Sequence, residues 1–248
     1  HALPCESHEE RYTPCVQEIV SSIGKLAWRR DLSSEEVASL VDITAAAIET
    51  LGTVELGLKF GIAAIFQSPK FLFRIELGEN YPQNSTQRRF KATELASRLS
   101  FFLWNTTPDT ALLEAAENDS LDSEEGLFKE ALRLLDAPQA RDGIRNFFAE
   151  NLQLLELKHL SKDPTIYEHY YADLGVDAIE ETLRLLEYIV FDSEEDYRNI
   201  MTTNETFVNP RLATLYGIPS PSETGFNYIK LPKDYTKRVG LLGHASFL

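Results

Sequence analysis

Five histidines, two cysteines and a single methionine are the residues of this 248-residue chain best suited to hold a metal ion, and their spacing decides which of them can. Glu156-Leu157-Lys158-His159 has the Glu-x-x-His spacing that sets two ligands on one face of a helix, as in carboxylate-bridged di-iron bundles. Such a site needs a second copy and two further glutamates on facing helices. No second Glu-x-x-His occurs, so Glu156 and His159 stand as metal candidates beside the simpler reading of a solvated helix end. Glu168 and His169 are adjacent and point in different directions on a helix. His244 lies among Leu241, Leu242, Ala245 and Phe247, where an imidazole is either a ligand or a buried, hydrogen-bonded group. Met201 is a weaker ligand candidate still.

Cys5 and Cys15 lie close together beside Pro4 and Pro14 in a segment with little else to order it. A disulfide between them is the preferred reading, and two free thiols the alternative. The bond would constrain the unfolded chain by about 2–3 kcal/mol and imply an oxidising compartment. Neither cysteine belongs to a Cys-x-x-Cys-His sequence, so the segment does not attach haem covalently in the usual way.

Composition narrows the function. A hydrophobic content of 43% is ample for a core, and the formal net charge of −15 opposes binding to phosphate backbones, which draws on Lys and Arg displacing counterions. Nucleic acid is therefore not an expected partner. No apolar run approaches the ~18 residues needed to span a bilayer. There is no Gly-x-Ser-x-Gly, no phosphate-cradling glycine loop and no zinc spacing, so hydrolase and nucleotide-dependent chemistry lack a motif. With 39 acidic residues, spacing alone singles out no glycosidase pair. The first residues lack the parts of a signal peptide and the last four form an apolar run, which suggests a parent chain that continues.

The elements that must position these groups are helices. Apolar periodicity predicts a helix from about Pro14 to Arg29, with proline in its first turn. A second runs to about Thr50 behind a Ser33–Glu36 capping box, and a third stops at Ser68-Pro69. Residues 78–87 read as a polar, exposed connection. Beyond it Leu95, Leu99, Phe102 and Leu103 line one side of a helix whose other sides carry Phe101 and Trp104, so this helix is expected to be central and largely buried. Arg98 on it then needs a carboxylate, with Glu94 four residues earlier and Glu76 as the partners in prospect. Further helices are predicted over 123–135, 140–155 and 176–191, and a short extended piece over 226–231. The fold class is all-α: a disulfide-bearing segment over 1–14, a helical subdomain over 15–77, a connection over 78–89, a central helical domain over 90–216, and an irregular or extended stretch over 217–248.

Five runs carry a family resemblance. Ala27-Trp28-Arg29-Arg30-Asp31-Leu32-Ser33 resembles the A-F-R-R-P-L-T signature of the planctomycete cytochrome c-associated proteins, which also occur in myxobacteria. Ser68 to Glu76 is similar to their S-P-x-F-L-Y-R-x-E segment, and Glu94 to Trp104 with Pro108-Asp109 to their most recognisable run. Leu212-Ala213-Thr214-Leu215-Tyr216-Gly217 and Arg238-Val239-Gly240-Leu241-Leu242 match two later ones. Asp31 departs from the pattern, which has proline there. The resemblance implies domains of unknown function in proteins whose flanking segments carry Cys-x-x-Cys-His, and so a periplasmic or cell-surface location. It implies no cofactor within this chain and c-type haem elsewhere in the parent protein, so that His244, at the edge leading into that part, is a candidate haem contact beside its reading as a buried, hydrogen-bonded histidine. Its partners would be those haem-bearing segments or a redox partner. The chain is then a scaffold supporting electron transfer or oxidoreductase chemistry, or alternatively a non-redox surface-assembly or protein-interaction module.

Overall fold

The structure, a computed structural model, describes residues 9–81, 84–232 and 238–247. It is mostly helical, with two small two-stranded antiparallel sheets among the described residues. Two compact units divide at Ala137 and Pro138.

In the first unit α1 (Glu9–Trp28), α2 (Ser34–Leu51) and α3 (Val54–Gln67) pack around Val16, Val20, Leu40, Leu58 and Ile65. The predicted capping box begins α2: Ser33 Oγ accepts from the Glu36 amide at 3.3 Å while the Glu36 carboxylate accepts from the Ser33 amide at 2.8 Å. Helices α2 and α3 cross where Gly61 meets Thr44; a Cβ at Gly61 would stand 2.1 Å from the Thr44 hydroxyl. The start of α1 differs from expectation, because the helix begins at Glu9 and Pro14 lies inside it, where it forgoes one backbone hydrogen bond. The short helix α4 (Pro69–Leu72) follows.

The stretch read as a polar connection is instead a hairpin of β1 (Glu79–Tyr81) and β2 (Asn84–Arg89), with Glu79 opposite Arg89 and their side chains 2.6 Å apart. Next, α5 (Ala92–Trp104), α6 (Thr110–Glu117) and α7 (Glu124–Asp136) enclose Leu112, Leu113, Leu121 and Leu134. The indole N–H of Trp104 donates to the Leu134 carbonyl at 2.7 Å, tying α5 to α7. Helix α5 buries Ala96, Ser100 and Trp104 but leaves Phe102 83% exposed, so it has one buried face rather than the all-round burial anticipated.

The second unit begins with α8 (Gln139–Asn151), which packs on α9 (Leu174–Phe191) through an ion-pair ladder: Arg141 and Arg145 both reach Glu187, each at 3.1 Å. A tight 3₁₀ turn, Leu154–His159, replaces the end of the predicted 140–155 helix. Strand β3 (Glu205–Val208), helix α10 (Pro210–Tyr216) and strand β4 (Asn227–Lys230) follow, β3 and β4 pairing from Glu205–Lys230 to Val208–Asn227. The division at Ala137 falls inside the 90–216 stretch. The reason lies in packing: α5, α6 and α7 close on one another, whereas α8 closes on α9.

Candidate functional site

Helix α9 carries three polar groups on the face it buries, Asp177, Glu181 and Thr182, among Ala178, Leu185, Leu186 and Ile189. Ionised carboxylates are almost never fully enclosed without partners, and Glu181 is 0% exposed. Its partners come from three other elements. The hydroxyl of Thr206 on β3 donates to Glu181 Oε1 at 2.8 Å, and the phenol of Tyr216, at the end of α10, donates to Oε2. The Tyr216 oxygen accepts the Ala245 amide at 2.9 Å, which brings the stretch 238–247 onto α9. The guanidinium of Arg238 lies over the Tyr216 ring, 4.2 Å from its centroid, and donates to the Gly243 carbonyl at 3.0 Å.

His244 lies in this network, 4% exposed. Its Nδ1 is 3.0 Å from the Thr182 hydroxyl and its Nε2 is 3.3 Å from that of Thr206, while Thr182 is 2.7 Å from the Ser246 hydroxyl. An ionised Glu181 fixes the sense of every bond. Thr206 must donate to the carboxylate, so His244 Nε2–H donates to Thr206. Nδ1 then accepts from Thr182, and Thr182 accepts from Ser246. Five groups thus form one directed chain: Ser246, Thr182, His244, Thr206, Glu181. Ser246 borders a cavity of about 580 Å³ walled by Leu160, Tyr167, Tyr170 and Phe247, while Glu181 borders a space of only about 10 Å³.

Burial sets the protonation states. Desolvation pushes the Glu181 carboxyl up to about 7 against the opposing hydrogen bonds of Tyr216 and Thr206, and pushes His244 down to about 4, aided by the charge of Arg238. The same desolvation, with Glu181 beside it, holds the Tyr216 phenol well above its ordinary range. Glu181 Oε1 and His244 Nε2 are 3.9 Å apart, within ion-pair distance, yet the imidazole is neutral wherever the carboxylate is charged, so the contact is not an ion pair. The arrangement can hold a proton on Glu181 near neutrality and pass it along hydroxyl and imidazole groups.

Gly240 seats the segment that delivers His244. Its φ is +61°, and a Cβ there would fall 2.2 Å from the Met201 carbonyl oxygen. The Met201 side chain itself is 53% exposed.

Haem, the group the resemblance implies, does not fit at His244. Both ring nitrogens face hydroxyls, and the adjoining space of about 10 Å³ holds a single water at most. Glu156 and His159 are exposed on the 3₁₀ turn, and Glu168 and His169 are exposed as well. Among the described residues no group of three or more His, Cys, Asp or Glu is arranged to hold a metal ion. Cys15 lies on α1, and Cys5 lies outside the described residues, so the expected bond between them falls there.

In the first unit the structure brings Arg98 to Glu76, Nη1 to Oε2 at 2.7 Å, with the guanidinium 4.5 Å from the Phe90 ring centroid. The Arg98 side chain is 51% exposed, not buried, because it lies on the open side of α5. Glu94 is not its partner. That carboxylate accepts the amides of Lys91, Leu77 and Gly78 at 2.9 to 3.1 Å, closing the start of α5 and pinning the chain ahead of β1.

Comparison with known families covers four of the five runs that carry the resemblance, and the run from Arg238 to Leu242 lies beyond both matches. A family model described as PSD4, protein of unknown function (DUF1592), matches residues 90–218, just over half of the chain, and one described as PSD5, protein of unknown function (DUF1595), matches residues 15–76. The chain belongs to the DUF1592 family. Both are planctomycete cytochrome c-associated domains. No curated protein and no solved structure matches the chain. Within this DUF1592 chain the first match lies in one compact unit, and the longer match crosses from that unit into the next. Of the hydrogen-bonded network, Tyr216 lies within the longer match and His244 beyond its end. Among the described residues no helix is long and apolar enough to cross a membrane.

Proposed function

We propose that this chain is the extracytoplasmic helical scaffold of a c-type-cytochrome-associated protein, supporting electron transfer or oxidoreductase chemistry carried by haem on segments outside these residues. The observation that carries the reading is the buried hydrogen-bonded chain from Ser246 to Glu181. It anchors residues 238–247 on α9 and ends at a carboxylate that titrates near neutrality, suited to taking up or releasing the proton that accompanies an electron. On this reading a haem-bearing segment lies beyond this end of the chain. Haem supplies the redox chemistry in such a protein; these residues position the segment and hold the proton.

The test is the natural full-length protein, purified from its source and reduced in alkaline pyridine. A c-type haemochrome spectrum is the expected result, and its absence removes the redox reading. A second reading, a non-redox surface-assembly module, is favoured by the exposed apolar side chains Leu72, Leu77 and Phe102, which are 61%, 68% and 83% exposed. A haem-free protein that forms stable assemblies would establish it in place of the first.

A further inference from the structure

The first unit holds a cavity of about 270 Å³ whose charge runs against that of the chain. Five cationic side chains, Arg29, Arg30, Lys70, Arg74 and Lys91, line it in a protein of formal net charge −15. Two of them share one carboxylate: Arg30 holds Glu36 through both terminal nitrogens at 2.8 and 2.7 Å, and Lys70 pairs with the same group. The two carboxylates in the lining are committed elsewhere, Glu76 to Arg98 and Glu94 to backbone amides.

Arg29, Arg74 and Lys91 are left, Lys91 lying in the field of the Glu94 carboxylate. Arg29 is 6% exposed and donates to the carbonyls of Ala27, Lys70 and Phe73 at 3.0, 2.8 and 3.1 Å; among the described residues no carboxylate pairs with it. Arg74 likewise has no carboxylate among the described residues. Both guanidinium groups lie over the same Phe101 ring, at 6.0 and 4.6 Å from its centroid. Two like charges against one ring, one of them buried, repel each other, and the Arg29 guanidinium is held below its usual range by burial and by Arg74. A buried charge is stabilised by an opposite one, which neither receives from the described residues. The apolar side of the cavity is Phe73, Ile75 and Leu77.

We propose that this cavity binds a small organic acid, its carboxylate on Arg74 and Lys91 in the field of Arg29 and its apolar body against Phe73, Ile75 and Leu77. Guanidinium groups match carboxylates in two-point geometry, and the volume lies just below the usual range for ligand pockets, about 300 Å³ and up, which suits a small ligand. This site does not depend on the haem reading, since it lies in the other compact unit.

Benzoate is the probe, benzamide its neutral counterpart and inorganic phosphate the oxyanion without an apolar body, each titrated calorimetrically into the whole chain. Saturable benzoate binding that benzamide does not reproduce is expected, weakened about tenfold or more by Arg74→Gln and several-fold by Lys91→Gln. Both residues are exposed, so the variants should melt with the parent; should Arg74→Gln fail to fold, Lys91→Gln carries the test. Equal binding of benzamide, unaltered affinity in the variants, or no saturation by benzoate would each overturn the proposal. Binding of phosphate but not benzoate would overturn the organic-acid class.

Discussion

Each unit of the molecule encloses a charged residue, and the two do so by opposite means. Arg29 keeps its charge, because a guanidinium does not lose its proton at any physiological pH, and is satisfied by main-chain carbonyls at the ends of α1 and α4. Glu181 is satisfied by side-chain hydroxyls, and its burial is relieved by taking up a proton as the pH falls through about 7. Helix ends offer carbonyl acceptors to a cation without further residues. An acid in the middle of a helix must recruit donors from elsewhere, here β3, α10 and, through Tyr216, the stretch 238–247. The first arrangement is insensitive to pH; the second is not.

The largest expected effect comes from emptying the second site. Glu181→Ala leaves the Thr206 and Tyr216 hydroxyls without their acceptor and opens a void, which should cost about 4 kcal/mol in chemical denaturation followed by circular dichroism. A loss below about 1 kcal/mol would mean that water replaces the carboxylate and that the network is not tight.

Next comes pH. Glu181, raised from 4.5 to about 7, stabilises the fold fully below pH 4.5 and loses that contribution as pH rises through 7. His244, lowered from 6.5 to about 4, stabilises it fully above pH 6.5 and loses that contribution as pH falls through 4. Between about 4.5 and 6.5 the two slopes oppose each other, and the parent curve should be nearly flat. Glu181→Gln should uncover the histidine, with stability rising by about 3 kcal/mol from pH 4 to 6.5. His244→Asn should uncover the acid, with stability falling by a similar amount from pH 4.5 to 7. Parallel curves for all three proteins would end the account of coupled burial.

In the first unit Arg29→Met should cost about 2 kcal/mol, by leaving three carbonyls short of a donor, and the loss should be the same at pH 5 and pH 8. A pH-dependent loss would break the contrast between the units. The smallest effect belongs to Arg98→Met and Glu76→Gln, each below about 1 kcal/mol, because that ion pair is solvated. A larger loss in thermal melts would make the pair a junction between the hairpin region and α5 after all.

Much of the helical framework was legible. The Ser33–Glu36 capping box, the stop at Ser68-Pro69 and the long stripes of α2, α3, α7 and α9 follow from spacing and caps that act locally. The hairpin over 79–89 was not, because Asn84-Ser85-Thr86-Gln87-Arg88-Arg89 has no apolar alternation. Helices α6 and α10 are too short for a period to show. Of the network, His244 stands out in the sequence through its apolar neighbours, but Glu181, Thr182, Thr206 and Ser246 do not. A glutamate on a helix reads as a surface charge. Its signal was position: Glu181 falls three residues after Ala178 and four before Leu185, on the buried stripe itself. Arg98 reads as buried for the converse reason: an apolar neighbour such as Phe102 suggests core, whereas it faces outward.

The two tryptophans of the chain, Trp28 and Trp104, both lie in the unit that ends at Ala137, 8% and 4% exposed, each with its indole bound to a carbonyl. Emission excited at the red edge of the protein absorption band therefore reports on that unit alone. The unit that contains Glu181 and His244 is silent in that channel and contributes to the far-ultraviolet dichroism and to tyrosine signals. The molecule thus carries a built-in optical label on one half, and a fluorescence midpoint that disagrees with the dichroism midpoint would measure how independently the halves unfold.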